Sequence, residues 1–310
     1  MSALSDLVMA GDVRAIARGI SLVENDGDEG PALVRDLFPR SGRAFLVGMT
    51  GAPGAGKSTL VDGLVARWRK AGRSVGVIAV DPTSPFSGGA MLGDRVRMQA
   101  HAQDAGVFIR SMATRGHLGG LARATADAAV VLDAAGKDIV AIETVGVGQD
   151  EVEIARTADV SIVVLVPGMG DDVQALKAGV MEIADIFVVN KADREGTDRT
   201  VADVESLLSL HAYQDGEWRP PIVRTQATAG VGFDELIEAI RRFSEQKSIV
   251  SARRRQRAEV QLRAILSAKL LRQVEARVPP AEMTTLVDRI VARSIDPYSA
   301  AGELLGRAGG

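Results

Sequence analysis

The chain has 310 residues, no cysteine, 46% apolar residues, a formal charge of −3 and a pI near 5.8. That length and apolar content support a sizeable core in one large domain, or in one domain with appendages. The absence of cysteine excludes disulfides and thiolate metal sites, and the mildly acidic balance gives no electrostatic reason to expect nucleic acid as a partner.

Residues 1–40 read as short helices, an N-terminal helical extension. Leu4, Leu7 and Val8, then Val13, Ile16, Ala17, Ile20 and Val23 recur at helical spacing, and Pro31 opens a further piece ending near Pro39. Met1 to Ala15 lacks a basic stretch followed by an apolar one, so no secretory signal is expected. Apolar runs such as Ile162 to Val166 are far shorter than the roughly 20 residues needed to cross a bilayer, so the chain is expected to be soluble, cytoplasmic and free of membrane.

From Ala44 onward, apolar strands alternate with helical segments, which predicts an α/β fold with a mostly parallel central sheet flanked by helices. Strands are expected at Ala44 to Met49, Ser74 to Val80, Val107 to Ser111, Asp138 to Glu143, Ser161 to Val166, Asp185 to Asn190 and Pro221 to Thr225. Ligand-bearing loops belong at the carboxyl ends of such strands.

The first strand runs into Gly51-Ala52-Pro53-Gly54-Ala55-Gly56-Lys57-Ser58, and Thr59 continues a helical pattern to Arg69. A strand, a glycine-rich turn and a helix N-terminus direct backbone N–H groups into one concavity suited to polyphosphate. The spacing is that of a Walker A loop. The amides of Gly54 to Thr59 hold phosphates, Lys57 neutralises the outer ones and the Ser58 hydroxyl ligates Mg²⁺.

After the second strand, Asp81-Pro82-Thr83-Ser84-Pro85-Phe86-Ser87-Gly88-Gly89-Ala90 is irregular, and Asp94 follows at the start of a helical pattern. Taken singly, Asp81 is a turn former and Asp94 a helix cap. The Ala113 to Gly120 loop carries Arg115 and His117, with Arg115 either a surface charge or a phosphate-side group. Glu143 ends a buried strand, where an unpaired carboxylate is costly, so it is expected to face a cation or the groups around one. Gly146 lies three residues on, where a backbone N–H can report the γ-phosphate; Thr144 to Asp150 is the expected switch loop.

Asn190-Lys191-Ala192-Asp193 closes the sixth strand. Asp193 can accept from guanine N1–H and N2–H₂, whereas adenine offers a mismatched edge, so this tetrapeptide selects GTP over ATP. Lys191 can lie over the purine, and Asn190 can brace the first loop. A companion loop, Thr225-Gln226-Ala227-Thr228-Ala229-Gly230, follows the last strand, and the Ala227 N–H is the expected donor to guanine O6.

Residues 247–310 read as a C-terminal helical arm. Leu262, Leu266, Leu270, Val274 and Val278 recur every four residues beside Ile265, an apolar stripe that either packs on the chain's own core or forms a dimer arm. The dimer arm is preferred, because residues 41–246 complete the nucleotide fold. The run Arg253-Arg254-Arg255-Gln256-Arg257 is expected to be a solvated helix face.

Together, the Walker A loop, Val80 to Pro85, Gly93-Asp94-Arg95, Ala113 to Gly120, Glu143 to Gln149 and Asn190 to Asp193 resemble the MeaB/ArgK family of P-loop GTPases over at least residues 41–245. The resemblance implies a homodimeric GTPase chaperone of an adenosylcobalamin-dependent acyl-CoA mutase, methylmalonyl-CoA mutase being the usual client. GTP hydrolysis would be coupled to cofactor loading, protection and reactivation. It implies that Lys57 and Ser58 serve phosphate and Mg²⁺, that Asp81, Asp94 and Glu143 are magnesium-site carboxylates, and that Asn190, Lys191 and Asp193 read guanine. Lys57, Asp94, Glu143 and Gly146 form the expected catalytic set.

Two features depart from common patterns. Gln226-Ala227 stands where Ser-Ala is frequent, removing a hydroxyl brace, and Val147 stands where many GTPases carry a water-orienting glutamine. An aliphatic side chain cannot orient water, so slow intrinsic turnover is expected, raised by a partner or by Arg95, Arg97 or Arg115. An older family label, arginine/ornithine transport kinase, and a nucleotide-gated binding scaffold are the alternatives. A nickel-delivery GTPase would need cysteine and histidine ligands, and a signal-recognition GTPase a methionine-rich module.

Overall fold

Period-two alternation with both phases apolar is what a strand buried on two faces requires, and the strands of this chain sort their side chains accordingly. In a computed structural model, the structure describes residues 2–25, 27–81, 101, 103–113, 120–144, 157–168 and 183–308. The chain divides into two units, the first ending at Arg254 and the second beginning at Arg255.

The first unit opens with α1 (Ala3–Met9), α2 (Val13–Glu24), α3 (Glu29–Leu37) and a 3₁₀ turn at Phe38–Arg40. Asp12 caps α2, its Oδ1 accepting from Ala15 N–H at 2.7 Å. Then follow β1 (Phe45–Gly51), α4 (Lys57–Lys70), β2 (Val75–Asp81), β3 (Val107–Ala113), α5 (Gly120–Ala134), β4 (Ile139–Thr144), β5 (Val160–Leu165) and β6 (Ile186–Asn190). The unit continues through α6 (Thr197–Leu208), β7 (Ile222–Thr225), α7 (Phe233–Ser244) and the first turns of α8 (Lys247–Arg277). The strands lie in the order β3-β2-β4-β1-β5-β6-β7, every pairing parallel. Among the described residues the sheet is parallel, as the alternation of strands and helices predicts, and each strand falls within two residues of its expected bounds.

One face of the sheet packs Val47, Met49, Ile162 and Val164 against Leu60 and Leu64 of α4 and Phe233 and Leu236 of α7. The other packs Leu46, Ile78, Val140 and Ile142 against Leu132 of α5 and Ile16, Ile20, Leu33 and Leu37 of the N-terminal helices. Those helices are built into the core. Asp133 of α5 secures the approach to β1 by accepting from the N–H groups of Gly42, Arg43 and Ala44 at 2.5, 3.2 and 3.1 Å.

At the amino ends of the strands, Arg253 and Arg254 depart from the expected solvated face. Arg254 forks onto Asp159, with Nε to Oδ1 at 3.0 Å and Nη2 to Oδ2 at 2.9 Å. Arg253 Nη2 donates to Asp185 Oδ1 at 2.5 Å. Both carboxylates are buried and also accept backbone N–H groups, from Leu46 and Ser161. Burying an acid calls for a partner cation, and α8 delivers two consecutive ones. Arg255 and Gln256 are exposed as expected.

The second unit contains the rest of α8, then α9 (Pro280–Val291) and α10 (Pro297–Ala308). Leu286 and Ala300 are buried, and Arg289 Nη1 pairs with Glu303 Oε2 at 2.9 Å. Leu262, Leu266 and Leu270 of the α8 stripe are exposed at 66, 53 and 53%. No helix among the described residues is long and apolar enough to cross a membrane.

Candidate nucleotide-binding site

β1 sits between β4 and β5, so the loop at its carboxyl end emerges mid-sheet. Gly51 has φ +139, and a Cβ there would stand 2.2 Å from the Val164 carbonyl oxygen. Gly56, at φ +91, passes so near the sixth strand that a Cβ would stand 2.4 Å from Asn190 Nδ2. These two glycines are therefore required by close approach as well as by conformation. α4 starts at Lys57, and its first intrahelical bond runs from Leu60 N–H to Gly56 O at 3.0 Å. The preceding amides and the positive end of the helix dipole form an anion cradle. Lys57 is buried, its Nζ donating to Gly51 O at 2.6 Å and Ala52 O at 3.0 Å, which holds the ammonium in the loop.

Across from the loop, the Ser58 hydroxyl donates to Glu143 Oε1 at 2.6 Å. Glu143 is 5% exposed and is brought there because β4 runs beside β1 with Met49 opposite it. One residue further along each strand, Thr144 Oγ1 donates to Thr50 Oγ1 at 3.1 Å. Asp81 ends β2, the other neighbour of β4. Asp94, Gly146, Val147, Arg95, Arg97, Arg115 and His117 lie outside the described residues. A hydroxyl and a buried carboxylate form a hard oxygen pair of the type Mg²⁺ takes, so Ser58 and Glu143 fit that ion. Among the described residues, no three His, Cys, Asp or Glu side chains converge into a metal site by themselves.

The segment expected to read the base is tied directly to the glycine-rich loop. Asn190, buried at the end of β6, donates from Nδ2 to Ala55 O at 2.8 Å. Lys191, with φ +57, reaches Gly54 O at 2.8 Å. Asp193 is exposed beside them. Asn190 Oδ1 accepts from Thr225 Oγ1 at 3.0 Å and from Ala227 N–H at 3.1 Å. The amide expected to face guanine O6 therefore lies against Asn190 in this structure. Thr225 was not singled out from the sequence, yet it supplies a hydroxyl brace one position before Gln226. The register that pairs Asn190 with Thr225 is what places it.

Protein-family comparison decides what this site belongs to. The model described as Methylmalonyl Co-A mutase-associated GTPase MeaB matches residues 16–278. The chain belongs to the MeaB family. It is a GTPase and takes guanine nucleotide. A Pyrococcus abyssi protein named for GTPase activity is 52% identical over 97% of this chain and 95% of its own length. GTPase ArgK of Escherichia coli is 39% identical over 74% of this chain and 72% of its own length. The mouse methylmalonic aciduria type A homolog, a mitochondrial protein, is 35% identical over 84% of this chain and 65% of its own length. Among solved structures, one titled LAO/AO transport system kinase superposes with a TM-score of 0.72 at 26% identity, covering 98% of this chain and 95% of that one. The MeaB match takes in the whole described nucleotide site and α8, so the family assignment and the geometry refer to the same residues.

Proposed function

We propose that this MeaB-family GTPase is a chaperone of an adenosylcobalamin-dependent acyl-CoA mutase, with methylmalonyl-CoA mutase the leading client. It couples GTP binding and hydrolysis to cofactor loading, protection and reactivation. The observation that carries this reading is the MeaB match over residues 16–278, whose description names the mutase association. The mouse relative, named for methylmalonic aciduria, supports the same client.

In this reading the amides of Gly54 to Thr59 and Lys57 hold the phosphates, while Asn190, Lys191, Asp193 and the loop at Gln226, Ala227 and Thr228 hold the guanine. Ser58 and Glu143 would hold Mg²⁺, with Asp81 and Asp94 the further carboxylates, and an ion held there would supply positive charge against that of the phosphates. Gly146 senses the γ-phosphate and Val147 leaves intrinsic turnover slow. The chain works in the cytoplasm as a homodimer, and the exposed Leu262, Leu266 and Leu270 are the surface a second copy covers.

A phosphotransferase acting on a small molecule has no use for the Asp193 base reader, so the transport-kinase reading is not favoured. The test is capture of a purified cobalamin-dependent mutase in GDP and non-hydrolysable GTP states, with Lys57→Ala as control. State-dependent recovery of the mutase is expected; recovery in no state overturns the chaperone role. Free phosphate, with no phosphorylated product, is expected from GTP. Sedimentation of wild type against Leu266→Asp checks the dimer, which the aspartate is expected to dissociate.

A further inference from the structure

The loop from Gln226 to Val231 is closed on itself, Gln226 N–H donating to Val231 O at 3.1 Å and Val231 N–H to Gln226 O at 3.3 Å. One end of this small hairpin is held by Asn190 through the Ala227 amide. The other end is held from the phosphate-binding helix. Arg67 of α4 donates from Nη2 to Gly230 O at 2.9 Å and from Nη1 to Gly63 O, on its own helix, at 3.1 Å. Its guanidinium carbon lies 3.9 Å from the centroid of the Phe233 ring. Phe233 is itself fixed, 1% exposed and seated in the space above Gly63, where a Cβ would stand 2.3 Å from the ring.

We propose that Arg67 is a positioning residue for purine recognition, pinning the base-reading loop to the helix that carries Lys57 and Ser58. The proposal rests on the assignment of residues 226–228 to nucleotide binding, with the Ala227 N–H the expected donor to the guanine 6-oxo group. A planar fork over an aromatic face holds three neighbours in fixed directions, which a flexible ammonium cannot do. Arg67 lies ten residues after Lys57, about 15 Å along a rigid helix. One helix therefore sets the separation between the phosphate cradle and the loop that meets the base. Arg67 spends its fork on Gly63 O, Gly230 O and the Phe233 ring, so it acts on the base through the loop.

The test compares the change on substitution for ligands with and without the 6-oxo group, using calorimetry on wild type, Arg67→Met and Arg67→Lys. Arg67→Met is expected to weaken GTP and inosine triphosphate together by about tenfold, a loss of the size of one or two net hydrogen bonds. Magnesium tripolyphosphate, which has no base, and 2-aminopurine riboside triphosphate, which lacks the 6-oxo group, should bind Arg67→Met within about twofold of wild type. Arg67→Lys keeps a cation over Phe233 without the fork and should fall between the two. Unchanged GTP affinity in Arg67→Met overturns the proposal. So does a loss shared equally by all four ligands, which marks a general structural role; circular dichroism melting of both variants accompanies the titrations. A wild type that binds ATP as well as GTP overturns the guanine assignment itself, and this inference with it.

Discussion

Ser58 Oγ donates to Glu143 Oε1 at 2.6 Å, joining the first turn of the phosphate-binding helix to the penultimate residue of β4. The pair is 85 residues apart in sequence and meets because β4 lies directly beside β1. A carboxylate held against the candidate magnesium hydroxyl supplies negative charge where a divalent ion and a γ-phosphate are handled. Glu143→Ala is expected to lower kcat for GTP hydrolysis by about 10²-fold or more, the scale of losing one charge-organising group. Single-turnover phosphate release measures it, and a rate near wild type would remove Glu143 from the magnesium site.

Asp193 is assigned to accept two hydrogen bonds from guanine, and a charged acceptor contributes about 1.5–3 kcal/mol for each. Asp193→Asn replaces one acceptor oxygen with a donor. GTP affinity is expected to fall by about 10²-fold or more, while xanthosine triphosphate, which presents a 2-oxo acceptor, should gain. Competition against a fluorescent GDP analogue reads both. Equal losses for the two nucleotides would place the base elsewhere.

Gly56→Ala forces a side chain into the left-handed region, at about 1–2 kcal/mol, and sets its Cβ 2.4 Å from Asn190 Nδ2. The phosphate loop and the Asn190 brace cannot both keep their positions. GTP and GDP affinities should each fall at least about tenfold, with a lower thermal midpoint. Calorimetric titration and a melting curve check the two parts, and unchanged binding would mean that Asn190 yields without consequence.

Burial pushes the Asp185 carboxyl up to about 7, against the opposing pull of the Arg253 guanidinium and the Ser161 N–H. An acid whose native pKa stands above its ordinary 3.8 keeps a proton in the folded state where the unfolded chain has released it. Its contribution to stability therefore falls as pH rises from about 4 to about 7 and is level above that. Urea midpoints between pH 5 and 8 should show wild type losing stability relative to Asp185→Asn as pH increases. A difference that does not vary with pH would mean that Asp185 is ionised throughout.

The glycine-rich loop and the Asn190 to Asp193 segment are legible as candidate sites because each is a run of a few consecutive residues whose chemistry depends on local backbone geometry. Gly51, Gly56, Lys57, Ser58 and Asn190 carry that information in their spacing alone. The seven strands were legible for a related reason, since burial on both faces writes itself as continuous apolar runs.

The sequence by itself determined the sheet and the class of nucleotide. Tertiary structure alone decided that Arg253 and Arg254 pair with the buried Asp185 and Asp159, 68 and 95 residues away. It also decided that the Thr225 hydroxyl donates to Asn190 and that Arg67 donates to Gly230 in the loop beyond it. Local spacing cannot encode these pairings, because a buried charge or hydroxyl finds its partner only after strand order and register have brought distant side chains together.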